Sequence, residues 1–262
     1  GRAKYSLLLT EQGTVADDLV TYHVADDEYV VIPNAANVTT DLAASTERCS
    51  GFDVTVTDES TSTALIALQG PASAEILLRT LGRADTSLAP DEVRDLRYYR
   101  VLTGTWQGAA IMVARTGYTG EDGFELYVPN AQAEALWTSL QNAGGEGVVP
   151  CGLACRDTLR LEAGMPLHGH ELSEDINPYQ ANLPIVALKT KDSFVGREAL
   201  AKIKEEGLEH LAEVRHLDYR DVTETGFDAL SSIGLTEHIG VRNYPAYFRF
   251  GMTHLRDGGR ML

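Results

Sequence analysis

The clue to the architecture lies in the segment Arg115-Thr-Gly-Tyr-Thr-Gly-Glu-Asp-Gly-Phe-Glu125. Its closely spaced glycines predict a loop, and the apolar run Phe124–Val128 predicts a strand that follows it. The next segment, Ala131–Ala143, has the apolar spacing of an amphipathic helix. The loop lacks the Gly-Lys-Ser/Thr end of a phosphate-binding loop and does not match the dinucleotide fingerprint, so no nucleotide site is predicted.

On both sides of this loop, short strand-like segments alternate with helical ones. Turn-rich links predict two hairpins, Tyr5–Leu9 with Thr14–Val24 and Tyr98–Leu102 with Ala109–Ala114. Further strand patterns cover Tyr29–Ile32, Phe52–Thr57 and Ala64–Leu68, and helical patterns cover Thr40–Arg48, Ala72–Leu81, Gly152–Ala163 and Gly196 to about Glu206. We therefore predict an α+β fold with mixed, mainly antiparallel sheets and packed helices.

The composition narrows the range of partners. Of the 262 residues, 44% are hydrophobic and 23% are charged, which is typical of a folded globular protein. A formal charge of −16 argues against a nucleic-acid partner and against an anionic membrane surface. No apolar run approaches the roughly 18 residues that span a bilayer, so no membrane association is predicted.

The cysteines and histidines do not predict a disulfide framework or a metal site. Three scattered cysteines and the lack of a signal-like segment favour a reducing compartment, the cytoplasm. Cys151 and Cys155 are four apart, but no second pair or histidine cluster completes a zinc site. The histidines of the last 54 residues lack tight ligand spacing; they are His210, His216, His238 and His254.

A few polar residues are candidates for chemistry, and each has a simpler explanation. Asp18 follows Asp17 in an apolar strand pattern, where aspartate is a poor strand former, although such a pair is more often an edge-strand feature. Glu125 falls in mid-strand, where an inward carboxylate needs a donor. Arg156 could be a solvated helix charge. The aromatic candidates Tyr98, Tyr99 and Tyr118 could instead be packing residues.

Several long motifs in one order resemble the folate-dependent aminomethyltransferases, the T proteins of the glycine cleavage system. The loop and strand 115–125 resemble that family's signature, and Cys151–Leu167 resembles its next block. The other matching motifs are Ala16–Val20, Asn34–Asn37, Leu68–Pro71, Gly169–Glu171, Asp175–Pro178 and Phe194–Leu200. Coincidence is a poor explanation for so many motifs in order.

The resemblance implies transfer of a methylene carbon from an aminomethyl group on the lipoyl arm of the H protein to tetrahydrofolate. Asp18 would act near the folate nitrogen at position ten, as a general base or by electrostatic assistance. Glu125 would hold the pterin, and Arg156 would also bind folate. Aromatic positions that line the pocket in relatives match Tyr98, Tyr99 and Tyr118, and Asn34 is a further candidate. The resemblance implies no metal.

The resemblance covers roughly Gly1–Leu208 and implies three segments. Residues 1–80 would be part of a first folate-binding domain that is truncated at its start, and residues 81–208 a second one. Residues 209–262 would be a divergent tail, because the C-terminal barrel of the family is not recognisable there. A folate-dependent demethylase of the same fold and a non-catalytic folate-binding fragment remain alternative functions.

Overall fold

The computed structural model describes residues 1–183, 191–205, 217–232 and 239–261. The chain divides into two compact units, Gly1–Leu211 and Ala212–Leu262. The first unit opens with three strands, β1 (Arg2–Leu9), β2 (Val15–Ala25) and β3 (Glu28–Ile32). They form an antiparallel sheet in the order β1-β2-β3, and helix α1 (Val38–Cys49) follows.

A second antiparallel sheet has four strands in the order β4-β7-β6-β5. These are β4 (Thr63–Gln69), β5 (Val101–Trp106), β6 (Ala109–Ala114) and β7 (Gly123–Pro129). The turn between β5 and β6 is Gln107-Gly108, whose φ angles of 50° and 76° match the two-residue turns that suit hairpin twist. Because of this pairing, β7 presents Glu125 opposite Ala67 of β4 and Ala114 of β6.

The largest hydrophobic core lies between the four-stranded sheet and three helices, α2 (Ser73–Leu81), α3 (Pro90–Arg94) and α4 (Ala133–Gly144). Fully buried Trp106, Phe124, Leu126 and Leu136 form its centre. A smaller core joins the two sheets and consists of Ala3, Tyr22, Val101, Ala114 and Tyr127. This second core brings β2 close to β7, and therefore brings their polar side chains together.

Two further helices complete the described part of the first unit, α5 (Leu153–Glu162) and α6 (Arg197–Glu205). After α5 the chain turns at Gly164, whose φ is 70°. The guanidinium of buried Arg160 holds this turn, because it bonds Asp157 at 2.8 Å and Glu171 at 2.7 Å. No helix within the described ranges is long and apolar enough to cross a membrane.

The second unit contains β8 (Phe227–Leu230), α7 (Tyr244–His254) and β9 (Leu255–Met261). The two strands pair in parallel, and the helix lies between them in the chain, which makes a β-α-β arrangement. Tyr247 of α7 is buried, and its ring lies 5.7 Å from that of Tyr219.

The structure confirms the predicted α+β class, both hairpins and the mainly antiparallel pairing. In the second hairpin the first strand is Val101–Trp106 rather than the predicted Tyr98–Leu102, because the link predicted from residue 103 onward pairs with β6 as far as Trp106. The strand predicted over Phe52–Thr57 is wrong: residues 54–59 have no regular structure, and Phe52, Val54 and Val56 are exposed. Alternating apolar residues form a strand only where a neighbouring strand accepts their hydrogen bonds, and no described strand pairs with them. The predicted end of the last helix beyond Glu205, and His210, His216 and His238, lie outside the described residues.

The predicted domain boundaries at residues 80 and 208 stay predictions. The four-stranded sheet extends across the first of them, because β4 precedes residue 80 and pairs with β7.

Candidate folate site

Asp18 lies on β2 and is held by two donors. The Tyr5 hydroxyl donates to Asp18 Oδ2 at 2.9 Å, and the Asn34 side-chain amide donates to Asp18 Oδ1 at 2.8 Å. Burial is the largest influence and raises the pKa of the Asp18 carboxyl above its ordinary value, with a further contribution from the charge of Asp17. The two hydrogen bonds act in the opposite direction. Such a carboxylate is both oriented and more basic than a surface aspartate.

Asn34 connects Asp18 to its neighbour in the chain. Its side-chain amide also donates to Asp17 Oδ1 at 2.8 Å, and its backbone N–H donates to Asp17 Oδ2 at 2.9 Å. Asn37 donates to Asp17 Oδ1 at 2.6 Å and to Nδ1 of His168 at 3.0 Å. The Asn34–Asn37 turn therefore fixes both aspartates.

Glu125 is held by hydroxyl groups at one of its two oxygens. Thr116 Oγ1 donates to Glu125 Oε2 at 2.6 Å, and the Tyr22 hydroxyl lies 3.2 Å from the same atom. Tyr22 is in turn 3.2 Å from the Tyr127 hydroxyl. Among the described residues no donor bonds Glu125 Oε1, so this oxygen is available to a ligand.

Tyr98 and Tyr99 form an aromatic corner near Glu125. Their ring centroids are 4.7 Å apart at an interplanar angle of 73°. Burial raises the pKa of both phenols, and the charge of Glu125 adds to it in each case. Tyr99 has a φ of 61°, a left-handed conformation that is rare outside glycine. Backbone hydrogen bonds from the Tyr99 N–H to Arg115 and from the Ala3 N–H to the Tyr99 carbonyl maintain it.

Tyr118 and Arg156 are in contact with each other. The Arg156 guanidinium lies 4.6 Å from the centre of the Tyr118 ring, a cation–π distance, and the Tyr118 hydroxyl donates to the Pro166 carbonyl. Burial raises the pKa of Tyr118 to about 12, and the charge of Asp18 contributes. Tyr118, Tyr99 and Asp18 all affect the pKa of Tyr5, so these side chains share one region.

The seven residues predicted from the sequence therefore fall into two linked groups. Asp18 and Asn34 are in direct contact, and Tyr118 with Arg156 lies near them; Glu125 lies near Tyr98 and Tyr99.

Beside these residues is a pocket of about 380 Å³. Three cationic side chains line it together with three tyrosines and Ala3: Arg2, Lys4, Arg100, Tyr5, Tyr98 and Tyr99. In a chain with a formal charge of −16, this concentration of positive charge favours an anionic ligand. Within the described ranges no group of three or more His, Cys, Asp or Glu side chains could hold a metal ion.

Sequence reasoning missed several residues that hold the candidates in place, namely Tyr5, Tyr22, Thr116, Asn37 and His168. For two of them, Tyr22 and Thr116, the sequence contains a local indication. Strand periodicity places Tyr22 on the same face of β2 as Asp18, and Thr116 belongs to the loop segment 115–125. Asn37 and His168 are 131 residues apart, and no local pattern predicts their contact.

Comparison with known proteins shows which family this chain resembles. Residues 1–191 match the model of the GCVT N-terminal domain. An aminomethyltransferase of Cutibacterium acnes is 63% identical over 201 residues, which are 76% of this chain and 54% of that protein. An aminomethyltransferase of Corynebacterium jeikeium is 47% identical over 223 residues, with 80% and 57% covered.

A solved structure has the same fold. The crystal structure of glycine cleavage system aminomethyltransferase T from Bartonella henselae is 31% identical, with a TM-score of 0.66. The match covers 79% of this chain and 54% of that one. This chain thus spans about half the length of the curated relatives it matches.

The end of the chain has a second similarity, which sequence reasoning missed. Residues 155–262 match the model of mycolic acid cyclopropane synthetase and overlap the first match over residues 155–191. The second match covers less than half of the chain and includes the parallel β-α-β arrangement of the second unit. The first match covers most of the chain and every residue of the candidate site, and the chain therefore belongs to the GCVT N-terminal domain family.

Proposed function

We propose that this chain is the folate-binding part of a glycine cleavage aminomethyltransferase. The reaction would transfer the methylene carbon from aminomethyl-dihydrolipoyl H protein to tetrahydrofolate and release ammonia. The observation that supports it best is the presence of two differently held carboxylates, Asp18 and Glu125, each beside tyrosines, with Tyr5 near Asp18 and Tyr99 near Glu125 affecting each other.

Glu125 is suited to binding the pterin. Its Oε2 atom is fixed by the Thr116 hydroxyl, which prevents the carboxylate from rotating freely. The aminopyrimidinone edge of a pterin presents neighbouring N–H donors, and a carboxylate can accept such donors side by side. Tyr98 and Tyr99 supply aromatic surface close to this carboxylate. We propose that these three residues hold the pterin ring.

Asp18 is suited to assisting the weakly basic folate amine. The amine gains positive charge as it attacks the one-carbon unit, and a nearby carboxylate can stabilise this charge or accept the proton. The raised pKa of Asp18 makes proton acceptance more favourable than at an ordinary aspartate. Positioning would provide most of the remaining rate enhancement, since the methylene passes between groups that are already held.

The positive pocket is suited to the glutamate tail of folate. Arg2, Lys4 and Arg100 lie together beside Tyr98 and Tyr99, and carboxylates are common partners of clustered cations. Arg156 is exposed on α5 and stacks on Tyr118, so it can contact a ligand that lies against that ring. We propose that these cations compensate locally for the negative charge of the whole chain.

The partner and the carbon donor are inferred from relatives. The relatives named above are all aminomethyltransferases, which favours the lipoyl-bearing H protein over methylated amines as donor. The chain spans about half of those proteins, so the complete transfer is a proposal.

The test is a donor comparison with the full chain. Aminomethylated H protein and dimethylated amines are supplied separately with tetrahydrofolate, and methylene-tetrahydrofolate and ammonia are measured. We expect both products from the H protein donor alone. Formation of methyl-tetrahydrofolate and the monomethylated amine from dimethylated amines only would indicate a demethylase. Folate binding without turnover on either donor would indicate a non-catalytic folate-binding protein.

A further inference from the structure

A second, buried layer of polar groups lies behind Asp18. Its central member is Asp17, whose side chain is fully buried. Asp17 accepts three N–H hydrogen bonds, from the Asn34 backbone, the Asn34 amide and the Asn37 amide. Three such donors stabilise an ionised carboxylate. The same Asn34 amide bonds both aspartates and therefore links the position of Asp17 to that of Asp18.

Asp41 approaches this layer from the first turn of α1. Only 4% of its surface is exposed, and among the described residues neither of its carboxyl oxygens accepts a hydrogen bond. A buried ionised carboxylate without donors is costly, whereas a neutral carboxyl can satisfy itself by donating its own O–H. The nearest acid is Asp17, which after burial does most to raise the pKa of the Asp41 carboxyl, so Asp17 is the acceptor for that O–H.

The environment decides which of the two acids holds the proton. Asp17 has three N–H donors and Asp41 has none, so the charge belongs on Asp17 and the proton on Asp41. Burial and then Asp17 raise the pKa of Asp41 to about 7. The other charged groups that act on Asp41 are Arg48, which favours ionisation, and Asp18, which opposes it. His168 approaches the same layer through Asn37.

We propose that Asp41 is a positioning residue, which as a neutral acid donates its O–H to Asp17 and thereby holds the Asp17–Asn34–Asp18 chain in its working geometry. This inference rests on the proposed function only in that Asp18 is the group that assists the folate amine. Loss of the Asp41 proton places two buried negative charges against each other. Asn34 then loses its fixed orientation, and Asp18 is misplaced while Glu125 keeps its own hydroxyl donors.

Two substitutions separate the role of the hydrogen-bond donor at position 41 from the role of the side-chain volume. Asp41→Asn retains an N–H donor toward Asp17 at every pH, and Asp41→Ala removes the donor. We expect Asp41→Ala to lower kcat roughly tenfold with little change in KM for tetrahydrofolate, because a small displacement of a catalytic group is costly. We expect kcat of the parent to decline above pH 7, and we expect Asp41→Asn to retain kcat and to show no such decline. Substrate titration affects both proteins equally and cancels in this comparison.

The matched control is Glu47→Gln, which removes an exposed carboxylate from the same helix. It should retain the pH profile of the parent. The proposal is overturned if Asp41→Asn shows the same decline as the parent, or if Asp41→Ala leaves kcat unchanged.

A measurement without turnover keeps this proposal separate from the proposed function. The side-chain amide of Asn34 is followed by nuclear magnetic resonance of the full chain across pH 5 to 9. We expect its resonances to titrate near pH 7 in the parent and to stay constant in Asp41→Asn. If the chain gives that result but catalyses no aminomethyl transfer, the proposed function is refuted and the inference about the Asp41 proton stands. No difference between parent and variant would refute the Asp41 inference even if transfer occurs.

Discussion

Asp18 and Glu125 are two carboxylates that each lie beside tyrosines of the candidate site, yet they are held in different ways. Asp18 has an amide and a phenol as donors, and two further acids, Asp17 and Asp41, lie behind it. Glu125 has hydroxyl donors and no second acid in contact among the described residues. The difference indicates that the surroundings of Asp18 adjust the proton affinity of its carboxylate. The surroundings of Glu125 instead hold a hydrogen-bond acceptor in a fixed position.

The largest expected effect follows from removing the charge of Asp18. Asp18→Asn keeps the shape of the side chain but cannot accept a proton, and we expect kcat to fall by at least about 100-fold. The measurement is the rate of methylene-tetrahydrofolate formation at saturating folate. Asp53→Asn is the control, because Asp53 is exposed and lies outside the candidate site. A kcat within about twofold of the parent would mean that Asp18 is not catalytic.

A smaller effect is expected from loosening Glu125. Thr116→Val removes the 2.6 Å hydrogen bond to Glu125 Oε2 and preserves side-chain volume. A hydrogen bond to a charged group contributes about 1.5–3 kcal/mol, and partial compensation by Tyr22 should limit the loss of folate affinity to about 5- to 10-fold. Isothermal titration measures it, with exposed Thr103→Val as control. If affinity stayed constant and kcat fell instead, the division of roles between the two carboxylates would be wrong.

A still smaller effect is expected on α5. Arg156→Ala removes the cation that stacks on Tyr118 at 4.6 Å, a contact worth about 0.5–1 kcal/mol at exposed sites. We expect folate affinity to fall by about 2- to 5-fold. Exposed Arg83→Ala, which removes a guanidinium that bonds the Asn142 carbonyl, is the comparison variant. An equal change in both variants would assign the effect to overall charge and exclude a specific contact.

The smallest effect concerns stability. The folded-state pKa of Asp41 is raised to about 7, so its favourable contribution is present in acid and is lost as pH rises through 7. Asp41→Asn should therefore be more stable than the parent at pH 8 and similar to it at pH 4. Because solvent relaxes around a buried charge and reduces its cost, we expect the free energy of unfolding at pH 8 to increase by about 1 kcal/mol, or Tm by roughly 2–4 °C. Thermal melts of the parent, Asp41→Asn and the control Glu47→Gln at both pH values measure this difference. Equal behaviour of the two variants would contradict the prediction.

The candidate residues that the sequence predicted lie within continuous motifs. Asp18, Asn34, Glu125 and Tyr118 each fall in a segment whose residue order is distinctive, and local glycine and strand patterns also predicted the two hairpins. Elements that depend on distant partners were missed. Tyr22 contacts Glu125 across 103 residues, and this pairing depends on the small core between the two sheets.

Burial, in particular, could not be predicted from local pattern. Asp41 occurs in an ordinary polar first turn of a helix, and only the packing of α1 against the Asp17 region makes it a buried acid. Conversely, Phe52, Val54 and Val56 have the alternation of a buried strand and are exposed. Tertiary contacts decide both cases, and neither is encoded within a window of a few residues.

The most direct measurement is calorimetric titration of tetrahydrofolate into the parent chain, Asp18→Asn and Glu125→Ala. We predict that the parent and Asp18→Asn bind with Kd values within about threefold of each other, and that Glu125→Ala loses at least about tenfold in affinity. Absence of binding by the parent, or equal weakening by both substitutions, would contradict the assignment of Glu125 to binding and Asp18 to catalysis.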